Sequence, residues 1–185
     1  SEWFNVKTGV RQGCILSPIL FLITIDWVLR QTCDKPRGIQ WNLLSHLEDL
    51  DFADDLALLS RTLSDLQVKT DRLVNFAEMT GLRVNVNKTK TMHLPTAPAN
   101  RLLLDGDEIE TVNEFTYLGS IISPDNGASK DIINRLNKAK AAFVMLRPVW
   151  KSKQYSVKTK LKIFKSNVVT VMLYGSECWR ITDSD

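Results

Sequence analysis

An α+β fold is what this sequence predicts: small antiparallel ribbons with packed helices, followed by a helical, basic region. Three observations lead there. Two apolar runs, Leu47 to Ala53 and Leu56 to Leu59, bracket the pair Asp54-Asp55 and read as a hairpin of two short strands. Further short runs broken by Gly, Asp and Pro continue to about residue 122, whereas residues 130–150 and 157–170 carry helical periodicity. Charge divides the chain in the same way. Residues 1–127 hold 12 Lys/Arg against 17 Asp/Glu, and residues 128–165 hold 11 Lys/Arg against Asp131 alone.

Each element has a local reason. Glu2–Lys7 reads as a short edge strand leading into a glycine-punctuated loop. A helix over Ser17–Cys33 follows, where Ser17 can cap and Pro18 suits the first helical position. Pro36-Arg37-Gly38 is a turn, and Ile39–Leu44 is placed to pair ahead of the Asp54-Asp55 hairpin. Thr62 and Asp65 form a capping box for a helix to about Thr80, with Leu63, Leu66, Leu73, Val74 and Ala77 as its inner face and Gly81 as its stop. Strands are expected near Leu82–Val86 and Thr91–Leu94. After the irregular stretch Pro95–Asn100 they resume at Arg101–Leu104, Glu108–Val112 and Phe115–Ile122, with a turn at Asp105-Gly106-Asp107. The loop Ser123–Gly127 closes the sheet region, so the chain divides into 1–127 and 128–185.

With 185 residues and 44% hydrophobic content, the chain can bury one core, or a small core with an appended helical subdomain. Cys14, Cys33 and Cys178 are odd in number and far apart, which argues against a disulfide framework or a zinc site and for a reducing, intracellular compartment. No apolar run approaches the ~20 residues of a membrane span, and no signal or transit segment is visible. An acidic part beside a basic one suits nucleic-acid chemistry, because carboxylates hold cations while lysines neutralise phosphates. Lys138, Lys140, Arg147, Lys151, Lys153, Lys158, Lys160 and Lys162 are the candidates for the second task. Trp150 and Trp179 read as core anchors, and His46 and His93 lack metal-ligand spacing.

Adjacent carboxylates at a hairpin tip repel each other unless a divalent cation lies between them and a partner, which is the requirement of two-metal phosphoryl transfer. A plain Asp-Asp turn is the competing reading. Upstream, Thr8-Gly9-Val10-Arg11-Gln12-Gly13-Cys14-Ile15-Leu16-Ser17-Pro18 is a polar loop that opens a helix. Gly13 there permits close approach to the backbone, and Arg11 and Gln12 supply donors. This loop followed at such a distance by Phe52-Ala53-Asp54-Asp55 resembles motifs B and C of the reverse transcriptase palm. Gly81 to Met92 resembles motif D, and Phe115-Thr116-Tyr117-Leu118-Gly119-Ser120 resembles the primer-grip hairpin. Leu173-Tyr174-Gly175-Ser176-Glu177-Cys178-Trp179 is similar to the end of the thumb region in retrotransposons without long terminal repeats, of the kind that pair an endonuclease with a reverse transcriptase.

The resemblance implies a partial palm over 1–127 and a helical thumb over 128–185. It implies an RNA-directed DNA polymerase that uses Mg²⁺, or Mn²⁺ in its place, an RNA template with a DNA primer, and deoxynucleoside triphosphates, with no membrane partner. Asp54 and Asp55 become the metal-facing catalytic carboxylates, Asp54 the stronger candidate, with Phe52 anchoring the hairpin and small Ala53 leaving room for the primer end. Asp49 and Asp51 are left as supporting or solvated residues. Gln12 and Gly13 would meet the incoming nucleotide and its templating base, and Arg11 a backbone or phosphate. Lys88 matches the motif D lysine, with Lys90 as the alternative, and Tyr117, Leu118 and Gly119 the primer grip. Nuclear action follows only from the family's habit of priming on cut chromosomal DNA.

A departure accompanies the likeness. The aspartate of motif A, expected on a strand ahead of the glycine loop, has no match, and the fingers and any endonuclease domain are expected upstream. The chain alone is therefore not expected to polymerise. Two other readings compete: a non-catalytic nucleic-acid-binding remnant, and an unrelated Mg²⁺ phosphotransferase with an Asp-Asp strand end.

Overall fold

In the computed structural model, which describes residues 13–93, 101–124 and 128–179, the first element is α1, Ser17–Thr32. Pro18 lies in its first turn, where a missing N–H costs nothing. Ser17 does not cap it; the helix begins one residue earlier than that role requires, and Leu16 at the N-cap offers no side-chain acceptor. Helix α1 buries Ile25, Val28 and Leu29, while Ile19, Leu20, Leu22 and Ile23 stay exposed. The expected strand Glu2–Lys7 and the stretch Pro95–Asn100 lie outside the described residues.

Two ribbons follow. Strand β1, Ile39–Gln40, pairs antiparallel with β2, His46–Leu47, so the strand expected to Leu44 is only two residues long. Strands β3, Asp49–Phe52, and β4, Asp55–Leu58, form the expected hairpin. Helix α2, Leu63–Met79, starts at Thr62, whose hydroxyl oxygen accepts the Asp65 N–H at 3.1 Å. Its Phe76 meets Trp27 of α1 edge to face, with ring centroids 5.8 Å apart. Leu73 and Ala77 are buried, and Leu63, Leu66 and Val74 pack on a cluster of Leu102, Leu104 and Ile109. Gly81, at φ 79, turns the chain away after the helix.

Residues Leu82–Val86 are not a strand, contrary to their alternation. Val84 and Val86 do face the Leu102 cluster, but no neighbouring strand pairs with them, and the Asn85 carbonyl accepts the Lys88 and Thr89 N–H groups in a turn. Of the strand expected over Thr91–Leu94, Leu94 lies outside the described residues and Thr91 ends β5, Lys90–Thr91, which pairs in parallel with β8, Glu110–Thr111. Between them, β6, Leu103–Leu104, and β7, Asp107–Glu108, flank Asp105 and Gly106 at φ 58 and φ 90, the signature of a type I′ turn.

The remaining elements are β9, Phe115–Tyr117; β10, Ser120–Ile122; α3, Ser129–Met145; α4, Arg147–Lys151; and α5, Val157–Phe164. A π-turn, Lys165–Val169, runs into α6, Thr170–Leu173, and a short 3₁₀ turn spans Ser176–Cys178. The helical pattern expected through Trp150 is interrupted at Leu146, because Pro148 opens α4. Ser156 caps α5 by accepting the Thr159 N–H at 3.2 Å.

The class is mixed α+β. Every sheet among the described residues has two strands, and all but β5–β8 are antiparallel. Two compact units divide between Val112 and Asn113, upstream of the 127/128 cut drawn at the Ser123–Gly127 loop. The β9–β10 hairpin therefore belongs with the helices that follow, since side chains of α3 hold its backbone. No helix among the described residues is long and apolar enough to cross a membrane.

Candidate catalytic hairpin and nucleic-acid interface

The β3–β4 register pairs Asp49 with Leu58, Leu50 with Ala57, Asp51 with Leu56 and Phe52 with Asp55. The turn is therefore Ala53-Asp54, and Asp55 is the first residue of the return strand. Ala53 has φ 57 and Asp54 is not in the positive-φ region, the sign pattern of a type II′ turn, whose first position favours glycine. An alanine there costs about 1–2 kcal/mol. Asp54 and Asp55 are both exposed, and among the described residues neither carboxylate has a hydrogen-bond or ion-pair partner. Hard carboxylate oxygens on two consecutive residues, with no partner among the described residues, are donors of the kind that suits Mg²⁺. Among the described residues no cluster of three or more His, Cys, Asp or Glu forms. Phe52 does not anchor the hairpin: it is 64% exposed, on the same face as Asp55.

What anchors the hairpin is its base. Lys69 of α2 is fully buried, and its ammonium donates to the backbone carbonyls of Glu48 at 2.9 Å and Leu59 at 2.8 Å, and pairs with the Glu48 carboxylate. Three N–H donors thus meet three acceptors, two of them the carbonyls that flank the ribbon on either side. Burial pushes the Glu48 carboxyl up. The Lys69 hydrogen bond and the backbone N–H groups of Gly38 and Arg37 outweigh it and leave the group below its ordinary value. Cys33, at the end of α1, donates to Asp49 Oδ2 at 3.1 Å, and burial first, then that contact with Asp49, pushes its thiol up to about 12. Asp49 therefore supports the hairpin, while Asp51 stays exposed.

The other motif residues fall as follows. Gly13 sits at φ 83 with open space where a Cβ would lie, so its backbone is approachable; Arg11 and Gln12 lie outside the described residues. Lys88 follows the Asn85 turn and is exposed, whereas Lys90 is ion-paired with Glu110. The β9–β10 hairpin turns at Leu118 and Gly119, with φ 49 and φ 83, and pairs Tyr117 with Ser120. Of the eight basic candidates, Lys138, Lys140, Arg147, Lys151, Lys153, Lys158 and Lys162 are exposed and none is paired with an acid among the described residues. Lys160 differs: it is half-buried and donates to the Trp150 carbonyl at 2.9 Å. Trp150 stacks on Phe143 with centroids 5.2 Å apart, as befits an anchor. Sequence reasoning missed Lys69, Glu48, Asp131 and Arg135. The one available signal was that Lys69 falls between Leu66 and Leu73 on the inner face of α2.

The family described as reverse transcriptase (RNA-dependent DNA polymerase) matches residues 1–122, and a domain of unknown function matches residues 142–174. The chain is 32% identical over 130 residues, 64% of its length, to the Pol polyprotein of the type-2 retrotransposable element R2DM of Drosophila melanogaster. It is 28% identical over 138 residues, 72% of its length, to a transposon-derived protein of Caenorhabditis elegans. It is 25% identical over 187 aligned residues, 96% of its length, to the Pol polyprotein of a type-1 retrotransposable element R2 of Popillia japonica. These matches span only 12%, 49% and 30% of the respective relatives. The chain belongs to the reverse transcriptase family, as a segment of the non-LTR retrotransposon type.

Proposed function

We propose that this chain contributes the catalytic carboxylate hairpin, the primer grip and a duplex-binding surface to an RNA-directed DNA polymerase. The observation that carries the reading is the unpartnered pair Asp54 and Asp55 at a strained two-residue turn whose base is pinned by Lys69. Backbone strain of this kind persists only where the surroundings enforce it, and it clusters at functional sites. Asp54 and Asp55 would hold divalent cations, Mg²⁺ or Mn²⁺, which supply charge neutralisation at the reacting phosphate when bound.

In the reaction, the primer 3′ oxygen bonds to the α-phosphorus of a deoxynucleoside triphosphate, its proton leaves, and the bond to the pyrophosphate oxygen breaks. The hairpin's task is to hold two carboxylates at fixed separation beside that phosphorus. Gly13 would admit the nucleotide to the backbone, beside Gln12 and Arg11. Lys88, the freer of the two candidate lysines, would donate a proton to the departing pyrophosphate, while the Glu110 pairing makes Lys90 the weaker choice. Tyr117, Leu118 and Gly119 would hold the primer end. We place the third carboxylate and the fingers in the remainder of a longer protein acting on chromosomal DNA in the nucleus, because two carboxylates hold two ions poorly.

The test is primer extension by the 185-residue chain on an RNA template, beside fluorescence anisotropy with the same RNA–DNA hybrid. The hybrid is expected to bind and no extension to occur. Mg²⁺-dependent extension that is absent in Asp54→Asn would overturn the inactivity of the chain alone. Seven of the basic-region candidates, exposed and without an acidic partner among the described residues, favour a second reading, a binding remnant without catalysis. On that reading hybrid affinity falls steeply with salt and is unchanged in Asp54→Asn.

A further inference from the structure

The β9–β10 hairpin has three residues per strand, no third strand beside it among the described residues, and a leucine at φ 49 in its turn. An isolated ribbon of this size is marginal in water, and a bulky residue at positive φ needs its surroundings to keep it there. Those surroundings come from two distant places in the chain. Arg135 of α3 is 6% exposed and donates through Nη2 to the Gly119 carbonyl at 2.6 Å. Its guanidinium lies over the Tyr174 ring, 4.3 Å from the centroid, and the Tyr174 hydroxyl donates to the Leu118 carbonyl at 3.2 Å.

One turn before Arg135, Asp131 is 3% exposed and uses both oxygens. Oδ1 accepts the Ile121 N–H at 3.0 Å, and Oδ2 accepts the Trp179 indole N–H at 2.9 Å. Fit is close throughout. A Cβ on Gly119 would lie 3.1 Å from Arg135 Nη2, and one on Gly175 would lie 3.0 Å from the Ser120 hydroxyl. Both turn carbonyls and one strand N–H are thus held by side chains of α3 and of the segment Tyr174 to Trp179.

We propose that Asp131, Arg135, Tyr174 and Trp179 are positioning residues that set the Leu118-Gly119 turn for the primer's 3′ end. The tail motif is then a strap across the grip, and it does not touch nucleic acid itself. This rests on the reading of Tyr117, Leu118 and Gly119 as a primer grip, which supplies the need for a turn fixed in place. A core-anchoring role alone would leave the primer terminus indifferent to the loss of single hydrogen bonds that keep the ring in place.

The experiment uses the 185-residue chain with an RNA–DNA hybrid carrying 2-aminopurine at the primer 3′ terminus, or well upstream of it as a control. Tyr174→Phe removes one hydroxyl and keeps the ring under Arg135; Trp179→Phe removes the N–H that Asp131 accepts. In both variants hybrid affinity by anisotropy stays within about twofold, while the 3′-terminal fluorescence change on binding falls by about half or more and the upstream probe does not respond. Full rescue in Arg135→Lys is not expected, since a lysine cannot both lie flat on Tyr174 and reach Gly119. Folded variants that perturb the terminal probe as the parent does overturn the clamp alone. A parent chain that binds the hybrid yet leaves the terminal probe unchanged overturns the primer-grip reading and the clamp with it. Should Trp179→Phe melt the unit, Tyr174→Phe, altering an exposed residue by one oxygen, still decides the matter.

Discussion

Ala53 and Lys69 decide the geometry of the Asp54-Asp55 hairpin, one by its backbone and the other by its charge. Ala53→Gly relieves the positive φ, against a more flexible unfolded chain, and should raise stability by about 0.5 kcal/mol, read as a higher urea midpoint. Ala53→Val should lower it by about 1–2 kcal/mol, and a raised midpoint in the valine variant would contradict the turn geometry. Lys69→Met leaves the Glu48 carboxylate and two carbonyls without their donor and should cost about 3 kcal/mol. Glu48 is depressed in the folded chain, so its contribution is present above its ordinary 4.5 and is lost as pH falls below it. The midpoint of the parent should therefore drop more steeply on acidification below about pH 4.5 than that of Lys69→Met. Neither residue was legible from sequence in this role. An alanine in a tight turn looks like a small spacer, and a lysine on a helix looks solvated until its partners are in place.

At the scale of elements, thiol chemistry reports how the end of α1 meets the hairpin, through Cys33 and Asp49. Cys14 is exposed ahead of α1, and the backbone N–H of Leu16, then the Ser17 side chain and N–H, hold its thiol below the ordinary value. Cys33 is held up to about 12 by burial and Asp49. With iodoacetamide at about pH 8, Cys14 should label first and Cys33 last; rapid Cys33 labelling in the folded chain would mean that α1 does not seal the hairpin base. Two hairpins were readable because each announces its turn, Asp54 between apolar runs and Asp105-Gly106. Phe115–Ile122 reads by its pattern as one strand and is broken at Leu118-Gly119 into β9 and β10. Capping by Thr62 was readable for the same local reason. Leu82–Val86 misled because period-two alternation also suits a chain lying across a core cluster, and only the absence of a partner strand tells the two apart. Ser17 misled by one residue, which moves a cap into the helix.

Over the whole molecule, the sequence pattern draws the boundary at the Ser123–Gly127 loop, and packing draws it earlier, between Val112 and Asn113. The β9–β10 hairpin, our proposed primer grip, is acidic-side sequence held by basic-side helices, a long-range pairing that no local pattern encodes. Asp131 and Arg135 were hidden for that reason, as members of a helix that reads as uniformly solvated and basic. On the proposed reading, the seven candidate cations of the second unit that are exposed and lack an acidic partner among the described residues make a salt-dependent duplex interaction. The plot of log affinity against log salt should have a slope of about −3 or steeper, and each phosphate contact removed among Lys151, Lys153, Lys158 and Lys162 by glutamine should reduce it by about one. A slope near zero would remove the duplex from that surface.

The most direct measurement is the paramagnetic broadening of backbone amides in ¹H–¹⁵N spectra of the 185-residue chain as Mn²⁺ is added. Broadening centred on Phe52 to Leu56 that disappears in Asp54→Asn is the predicted result, because those two free carboxylates are the donors. Broadening spread over other acidic surfaces, or unchanged in Asp54→Asn, would show that the Asp54-Asp55 hairpin is a turn and not a metal site.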